Sequence, residues 1–158
     1  DVGLDIAWIP LLLVVMNVVY SVTSYPVGRL SDRIGRRGLL VAGLAALVCA
    51  DLIMVAASTG WHVAAGTAVW GLHMGLTQGL LSALVADSAP ARFRGTAFGV
   101  FGLVSGLGTL TASLLAGLVW DAYGADVTFS VGAGLASAAM VGFAVTVRGA
   151  APGPRAEG

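Results

Sequence analysis

Lysine is absent from this 158-residue chain, and charged side chains of every kind are scarce, at 10%. A soluble domain usually carries about 25% charged residues, so most of this surface does not face water. The net charge is zero, which gives no electrostatic basis for binding nucleic acid. A chain without lysine also has no glycine-lysine phosphate loop. We therefore expect no nucleotide cofactor, no other cofactor and no drive by ATP.

The single cysteine, Cys49, excludes a disulfide framework and a cysteine-based metal site. Acids and histidines are also dispersed, because Asp51, His73 and Asp87 fall in separate segments. A membrane-embedded enzyme needs several such groups together to bind a metal or activate water. We therefore predict neither a metal site nor an enzyme, although dependence on a metal would revive the enzyme hypothesis.

Apolar residues make up 58% of the chain and form five runs long enough to cross a bilayer. About 20 mostly apolar residues in a helix span roughly 30 Å of hydrocarbon. The sequence therefore predicts an all-α integral membrane protein within residues 1–147. Its predicted spans are residues 6–27, 38–58, 62–86, 96–120 and 127–147.

The arginines occupy only alternate gaps between these spans. Two gaps hold Arg29, Arg33, Arg36, Arg37, Arg92 and Arg94, and the C-terminal tail holds Arg148 and Arg155. The other side holds Asp1, Asp5, Asp121 and Asp126 instead. Arginine-rich short loops stay cytoplasmic, which predicts a multi-pass protein of the inner (cytoplasmic) membrane with its C-terminus inside. The tail 148–158 is rich in proline and glycine and is predicted to be disordered.

Small residues recur four positions apart, as in Gly71, Gly75 and Gly79 of the third span. In lipid, such spacing lets helix backbones approach closely. The fourth span repeats the pattern with Gly95 and Gly99, Gly102 and Gly106, and Ala112 and Ala116, and the fifth with Gly134, Ala138 and Gly142. We expect these faces to pack against other helices.

The first arginine-rich segment carries the most specific motif, Gly28-Arg-Leu-Ser-Asp32-Arg33-Ile-Gly35-Arg36-Arg37. Topology alone would require a few arginines, but not two glycines and an aspartate at fixed spacing. The second segment reads Asp87-Ser-Ala-Pro-Ala-Arg-Phe-Arg94-Gly-Thr-Ala. The first resembles the loop signature G-x-L-x-D-R-x-G-R-R of the major facilitator superfamily, and the second is similar to a segment that follows the fourth helix of a six-helix half.

The resemblance covers residues 6–147 and implies most of one six-helix half of a secondary transporter. The polar tail favours the C-terminal half, in which the five spans would be helices eight to twelve. Because the chain starts at Asp1 and enters a span almost at once, we interpret it as part of a longer protein whose N-terminal half is missing here. The partners implied are that half, the lipid bilayer and a small-molecule solute.

In this family the two halves rock about a central site, and the resemblance implies a cytoplasmic conformational latch. Asp32 would contact the start of a helix in the other half, beside a charge network of Arg33, Arg94 and Asp87. The remaining latch residues would be Gly28, Gly35, Arg36 and Arg37. The alternative is that Asp32 caps a local turn.

Polar residues within spans are candidates for the solute pathway. Trp70, His73 and Thr77 follow i, i+3, i+7 spacing and are predicted to share a cavity-facing side of the third span. His73 would bind solute or respond to protons, or else bond a neighbouring helix. Gln78 falls beside the glycines and is expected to bond a helix rather than a solute. Asn17 and Tyr20 would line the path or bridge helices.

Asp51 is the only acid deep in a predicted span. A carboxylate there is costly and must be protonated, paired or functional. It is a candidate for proton coupling, although its position toward the outer end favours a structural role. A further functional hypothesis is a truncated or non-transporting membrane scaffold, which the five-span length would fit.

Overall fold

The computed structural model describes residues 5–149 of the chain. Within them the chain forms five long helices, α1 (Ile9–Ile34), α2 (Arg36–Val55), α3 (Gly60–Ser88), α4 (Arg94–Tyr123) and α5 (Ala125–Gly149). Two short 3₁₀ turns, Ile6–Trp8 and Ala91–Phe93, precede α1 and α4. All five helices are long and apolar enough to cross a membrane. The prediction of an all-α membrane fold is thus confirmed, while Asp1 and the tail beyond Gly149 lie outside the described residues.

The helices run further into the predicted loops than the hydropathy pattern indicates. α1 continues to Ile34, so most of the Gly28–Arg37 motif is helical and not a loop. The chain breaks only at Gly35, whose φ of 85° suits glycine alone among common residues. The Gly35 N–H donates to the Ser31 carbonyl at 3.0 Å, which closes the last turn of α1. Arginines and leucine are good helix formers, so polarity here marks the membrane edge and not the helix end.

α3 lies between α1 and α2 and packs along both, while α2 also packs along α5. The glycines of α3 make the contact with α1 possible. A Cβ at Gly75 would stand 2.8 Å from the Cβ of Thr23, and one at Gly71 would collide with the backbone carbonyl of Met16. The predicted packing face is therefore confirmed at Gly71 and Gly75.

The other small-residue faces have no neighbouring helix in the part of the chain that the structure describes. Gly79 has open space where a Cβ would project, and so do Gly95, Gly99, Gly102 and Gly106 of α4. α4 holds no buried residue and makes sparse contact with α3 and α5. The prediction that these faces pack is not met within residues 5–149, because the pattern specifies a face but not its partner.

Candidate functional sites

An ion pair joins the first arginine-rich segment to the second. The Arg36 guanidinium contacts the Asp87 carboxylate, which ties the first turn of α2 to the last turn of α3. The Arg36 side chain is 26% exposed and that of Asp87 64%, so the pair lies at the rim of the bundle. Within the described residues Asp87 pairs with Arg36 and not with Arg33 or Arg94, so the expected network of Asp87 with those two arginines is not formed there. Gly35 starts α2 at Arg36, and this turn brings Arg36, not Arg33, over the end of α3.

Asp32 lies beside this pair without joining it. Its side chain is exposed and has neither a hydrogen bond nor an ion pair among residues 5–149. Because Asp32 stands in the last turn of α1, the helix dipole disfavours its negative charge there. The alternative of a local cap therefore has no hydrogen bond to support it, and the carboxylate is available to a partner outside the described residues.

Two hollows meet at Asp32. One, of about 580 Å³, is lined by Arg36, Arg37 and Asp87. The other, of about 290 Å³, lies between α1 and α3 and has walls of small residues, Gly28, Gly75, Gly79 and Ala83. Nothing lies within 4 Å of where a Cβ would project at Gly28 or Gly79. The second hollow therefore has room for another helix to approach the backbones of α1 and α3 closely.

Arg33 and Arg94 are exposed at the same end of the bundle. Arg33 is in the last turn of α1, and Arg94 is the first residue of α4. The only ion pair within the described residues is that of Arg36 with Asp87. Arg33, Arg37 and Arg94 therefore remain positive charges at this end, called below the arginine-rich end.

A cavity of about 490 Å³ lies between α2, α3, α4 and α5. It brings together the predicted residues His73, Thr77 and Gln78. Sequence reasoning missed its other polar members, Ser82 on α3 and Ser105 and Thr109 on α4. The i, i+4 spacing of Ser105 and Thr109 in an apolar run was the available signal. Its remaining lining residues are apolar, Leu40, Leu44, Leu81, Phe101 and Phe143.

The polar groups of this cavity divide into two kinds. His73 donates from Nδ1 to the Gly43 carbonyl of α2 at 2.8 Å, and the Thr77 hydroxyl donates to the His73 carbonyl at 2.8 Å. Gln78 is exposed, and neither it nor Ser105 has a hydrogen-bond partner within residues 5–149. Gln78 is expected to bond a neighbouring helix, but it lines the cavity without such a bond within residues 5–149, whereas His73 bonds α2.

Three other predicted pathway residues lie away from this cavity. Trp70 is 46% exposed and does not line it, so the predicted shared face of Trp70, His73 and Thr77 is divided. Asn17 donates from Nδ2 to the Leu13 carbonyl of its own helix at 2.7 Å. Tyr20 is half-buried, and its carbonyl accepts from Ser24 at 2.7 Å. The α1 residues therefore belong to a different surface from His73 and Gln78.

Asp51 lies where α2 crosses α5. Its Oδ2 stands 2.9 Å from the position that a Cβ of Gly132 would take, so the absence of a side chain at Gly132 makes room for the carboxyl group. Asp51 is half-buried and forms no ion pair within the described residues. Asp51 does not line the cavity but lies at a helix–helix contact.

Five apolar helices with short connections, polar groups around a cavity and a charge pair at one end are typical of a multi-pass membrane protein of the transporter class. The chain matches the sequence model of the Major Facilitator Superfamily over residues 1–158. The protein therefore belongs to this family of membrane transporters. Membership indicates a transporter rather than an enzyme.

Individual relatives agree with this assignment. The chain is 34% identical to an uncharacterised MFS-type transporter of Methanocaldococcus jannaschii, in a match that covers 81% of the chain and 32% of the relative. It is 28% identical to the inner membrane transport protein YajR of Escherichia coli, over 92% of the chain and 31% of the relative. The glucose transporter GlcP of Staphylococcus epidermidis is 30% identical over 70% of the chain and 26% of its own length. The chain thus spans a third or less of these relatives.

Proposed function

We propose that residues 1–158 form part of a secondary active transporter that moves a small solute across the cytoplasmic membrane by alternating access. The arginine-rich end faces the cytoplasm, as the segregation of the arginines indicates. The remainder of the transporter supplies the half against which this bundle rocks. The relatives, of which this chain covers a third or less, support the existence of that half.

The segment Gly28–Arg37 acts as a conformational latch at the cytoplasmic end. The observation that carries this proposal is the Arg36–Asp87 ion pair beside an unpaired Asp32. The ion pair holds the junction of α1 and α2 against α3. The backbone that carries Asp32 is therefore held in place. Asp32 opens onto the small-residue hollow at Gly28 and Gly79, where the positive N-terminus of a helix from the other half could approach. Arg33, Arg37 and Arg94 supply the surrounding positive charge.

The solute pathway includes the side of the cavity where Gln78 and Ser105 have free hydrogen-bonding groups. His73 and Thr77 support this wall, because the His73 Nδ1–H and the Thr77 hydroxyl are already bonded to helix backbones. Asn17 and Tyr20 line a second part of the pathway on α1, and Trp70 borders it. Asp51 contributes to helix packing, and its place at the α2–α5 contact gives no support to proton coupling.

A labelling experiment tests the latch without knowledge of the solute. The complete polypeptide would carry Gln78→Cys as its only cysteine, with Cys49→Ser, in vesicles whose arginine-rich face is outward. A membrane-impermeant maleimide then reports access to residue 78 from that face. We expect Asp32→Asn to raise the labelling rate about two- to fivefold, because one exposed contact is worth about 1 kcal/mol or less.

The matched control is Asp121→Asn, the same change at an exposed aspartate. Asp121 lies near the C-terminus of α4, at the end of that helix away from the arginine-rich end. The control should leave the labelling rate unchanged. Equal rates in the parent and the Asp32→Asn protein would contradict the latch. Equal labelling of position 78 from both faces in every variant would contradict alternating access. That result would favour a non-transporting scaffold.

A further inference from the structure

The cavity between α2, α3, α4 and α5 is lined by side chains without a formal charge. Among residues 5–149, no aspartate, glutamate, lysine or arginine lines it. His73 is its only titratable member, and the His73 Nδ1–H already donates to the Gly43 carbonyl at 2.8 Å. Apart from Asp51, which lies at the α2–α5 contact, the acids and arginines of the described residues stand near the ends of helices. These helices therefore offer no counter-ion to a charged group in the cavity.

A solute group that enters this cavity leaves water. Transfer of an ion out of water costs far more free energy than transfer of a neutral polar group, unless an opposite charge and hydrogen bonds compensate. His73 gives no such compensation, because a protonated imidazole would itself be an unpaired charge among apolar side chains. The cavity therefore favours uncharged groups over ions.

Four uncharged polar side chains of the cavity have unused hydrogen-bonding groups. Gln78, Ser82, Ser105 and Thr109 have no hydrogen-bond partner within residues 5–149. Thr111, on the same helix as Thr109, differs, because its hydroxyl donates to the backbone carbonyl four residues earlier at 2.9 Å. No fully buried polar side-chain atom of the described residues lacks a partner, so the four unused groups are accessible. Together they supply both donors and acceptors.

The remaining walls of the cavity are apolar. Two aromatic rings line it, Phe101 from α4 and Phe143 from α5, and both are half-buried. The volume of about 490 Å³ lies within the range typical of sites for small organic molecules, which are mostly apolar with a few polar groups. A sugar carries a hydroxyl on nearly every carbon, which is more than these walls match. The lining is therefore suited to an apolar body with few hydrogen-bonding groups.

The face of α4 that is suited to another helix is a different one. Phe101, Ser105 and Thr109 follow i, i+4, i+8 spacing and form one line along α4, called here the cavity stripe. At about 100° per residue, the four glycines from Gly95 to Gly106 are centred about 90° around α4 from this stripe. Those glycines have open space where a Cβ would project, and their spacing is typical of helix–helix contacts in lipid. A further helix of the transporter thus has its own docking face beside the cavity stripe.

We infer that these helices hold an uncharged, largely apolar part of the solute, which carries a hydrogen-bonding group. Gln78 of α3 and Ser105 of α4 bond that group, and Phe101 and Phe143 contact the apolar body. This inference rests on the proposed function, because it names the class of solute for the pathway proposed there. It also identifies Gln78 as the position that keeps the site neutral, since glutamate has nearly the same shape and would add a charge.

Protection of a reporter cysteine measures this selection. The complete polypeptide would carry Ser105→Cys as its only cysteine, with Cys49→Ser, and maleimide labelling in vesicles would be timed with and without a probe. The probes share one ring system and differ in charge, namely naphthalenemethanol, naphthoate and naphthylmethylamine. We expect the alcohol to slow labelling at a concentration at least about tenfold lower than either ion, because each ion would lose its hydration without a counter-ion.

Two substitutions of Gln78 in this background test its part in the selection. Gln78→Ala should raise the protecting concentration of the alcohol about two- to tenfold, the effect of one lost hydrogen bond. Gln78→Glu should make naphthylmethylamine protect better than naphthoate, because the carboxylate supplies a counter-ion for the amine. The matched control is Ser113→Cys, the same change at an exposed position of α4 that does not line the cavity. No probe should protect this control.

Several results would overturn the inference. Protection by either ion at the concentration that suffices for the alcohol would contradict selection by charge, and stronger protection by glucose would contradict an apolar body. Equal protection of Ser105→Cys and Ser113→Cys would show only partition of the probes into the membrane. Failure of every probe to protect Ser105→Cys would show that no such solute enters the cavity. The face-dependent labelling of position 78 tests alternating access separately, so the proposed function does not fail with this inference.

Discussion

Two polar residues on α3 lie five positions apart and serve different purposes. His73 donates its Nδ1 hydrogen bond to the Gly43 carbonyl. At this point α2 approaches α3 closely because Gly43 has no side chain. Gln78 lines the cavity and has no hydrogen-bond partner among the described residues. Spacing alone left His73 open between a solute contact and a bond to a neighbouring helix, and it favoured a helix contact for Gln78. Within the described residues His73 bonds α2 and Gln78 has no such bond, because these bonds depend on which backbone carbonyl a neighbouring helix brings near.

A pair of substitutions at these residues distinguishes a structural from a pathway role. We expect His73→Phe to lower the free energy of unfolding by about 0.6–1.7 kcal/mol, which are the average and the largest values measured for side-chain hydrogen bonds between membrane helices. Gln78→Ala should leave it unchanged, because it removes no contact within the bundle. Reversible unfolding in mixed micelles measures both. A larger loss for Gln78→Ala than for His73→Phe would refute this division.

Individual helices differ in how fully the sequence specified them. Each of the five apolar runs corresponds to one helix, because run length and composition alone satisfy the requirement to cross a bilayer. The ends were less well specified, since α1 continues six residues beyond Val27 before its final residue, Ile34. The glycines of α3 illustrate the same limit. Their spacing defined a packing face, yet only Gly71 and Gly75 meet α1, because Gly79 opens onto the hollow between α1 and α3 and has nothing within 4 Å of where a Cβ would project.

The two glycines Gly75 and Gly79 form a matched test of the α1–α3 contact. We expect Gly75→Ala to destabilise the bundle by about 1–3 kcal/mol, the usual cost of overpacking, because its Cβ would stand 2.8 Å from that of Thr23. In residues 1–158 alone, Gly79→Ala should be neutral or stabilising by up to about 1 kcal/mol, since it gains helix propensity and its Cβ meets nothing among residues 5–149. Thermal unfolding in detergent compares the two. Equal losses would mean that α1 does not pack along this face.

The helices of the described residues differ in how much they pack against one another. α3 is flanked by α1 and α2, and α2 is also supported by α5, whereas α4 has no buried residue and touches its neighbours sparsely. α4 is nonetheless long, apolar and rich in small residues at four-residue spacing. Such a helix gains little from its contacts within residues 5–149, and its small-residue face is open for another helix to pack on.

This imbalance predicts different local stabilities. In residues 1–158 alone, solubilised in detergent, we expect backbone amides of α4 to exchange with deuterium faster than those of α3, because opening α4 breaks few contacts. In the complete polypeptide, the difference should shrink as the remaining helices cover α4. Hydrogen–deuterium exchange with mass spectrometry follows both samples. Equal protection of α3 and α4 in the shorter chain would disprove the prediction.

The sequence by itself determined that this is a membrane protein, how many helices its described residues form and to which family it belongs. Apolar run length, the scarcity of charge and the Gly28–Arg37 motif are all local properties, and none depends on which helices touch. Only the tertiary structure decided that Arg36 and not Arg33 pairs with Asp87. It also decided that Asp51 lies against Gly132. Finally, it decided that Gln78 and not Trp70 lines the same cavity as His73. These outcomes depend on the rotation and crossing point of each helix. Every side of a spanning helix is apolar enough for lipid or protein, so hydropathy does not specify either quantity.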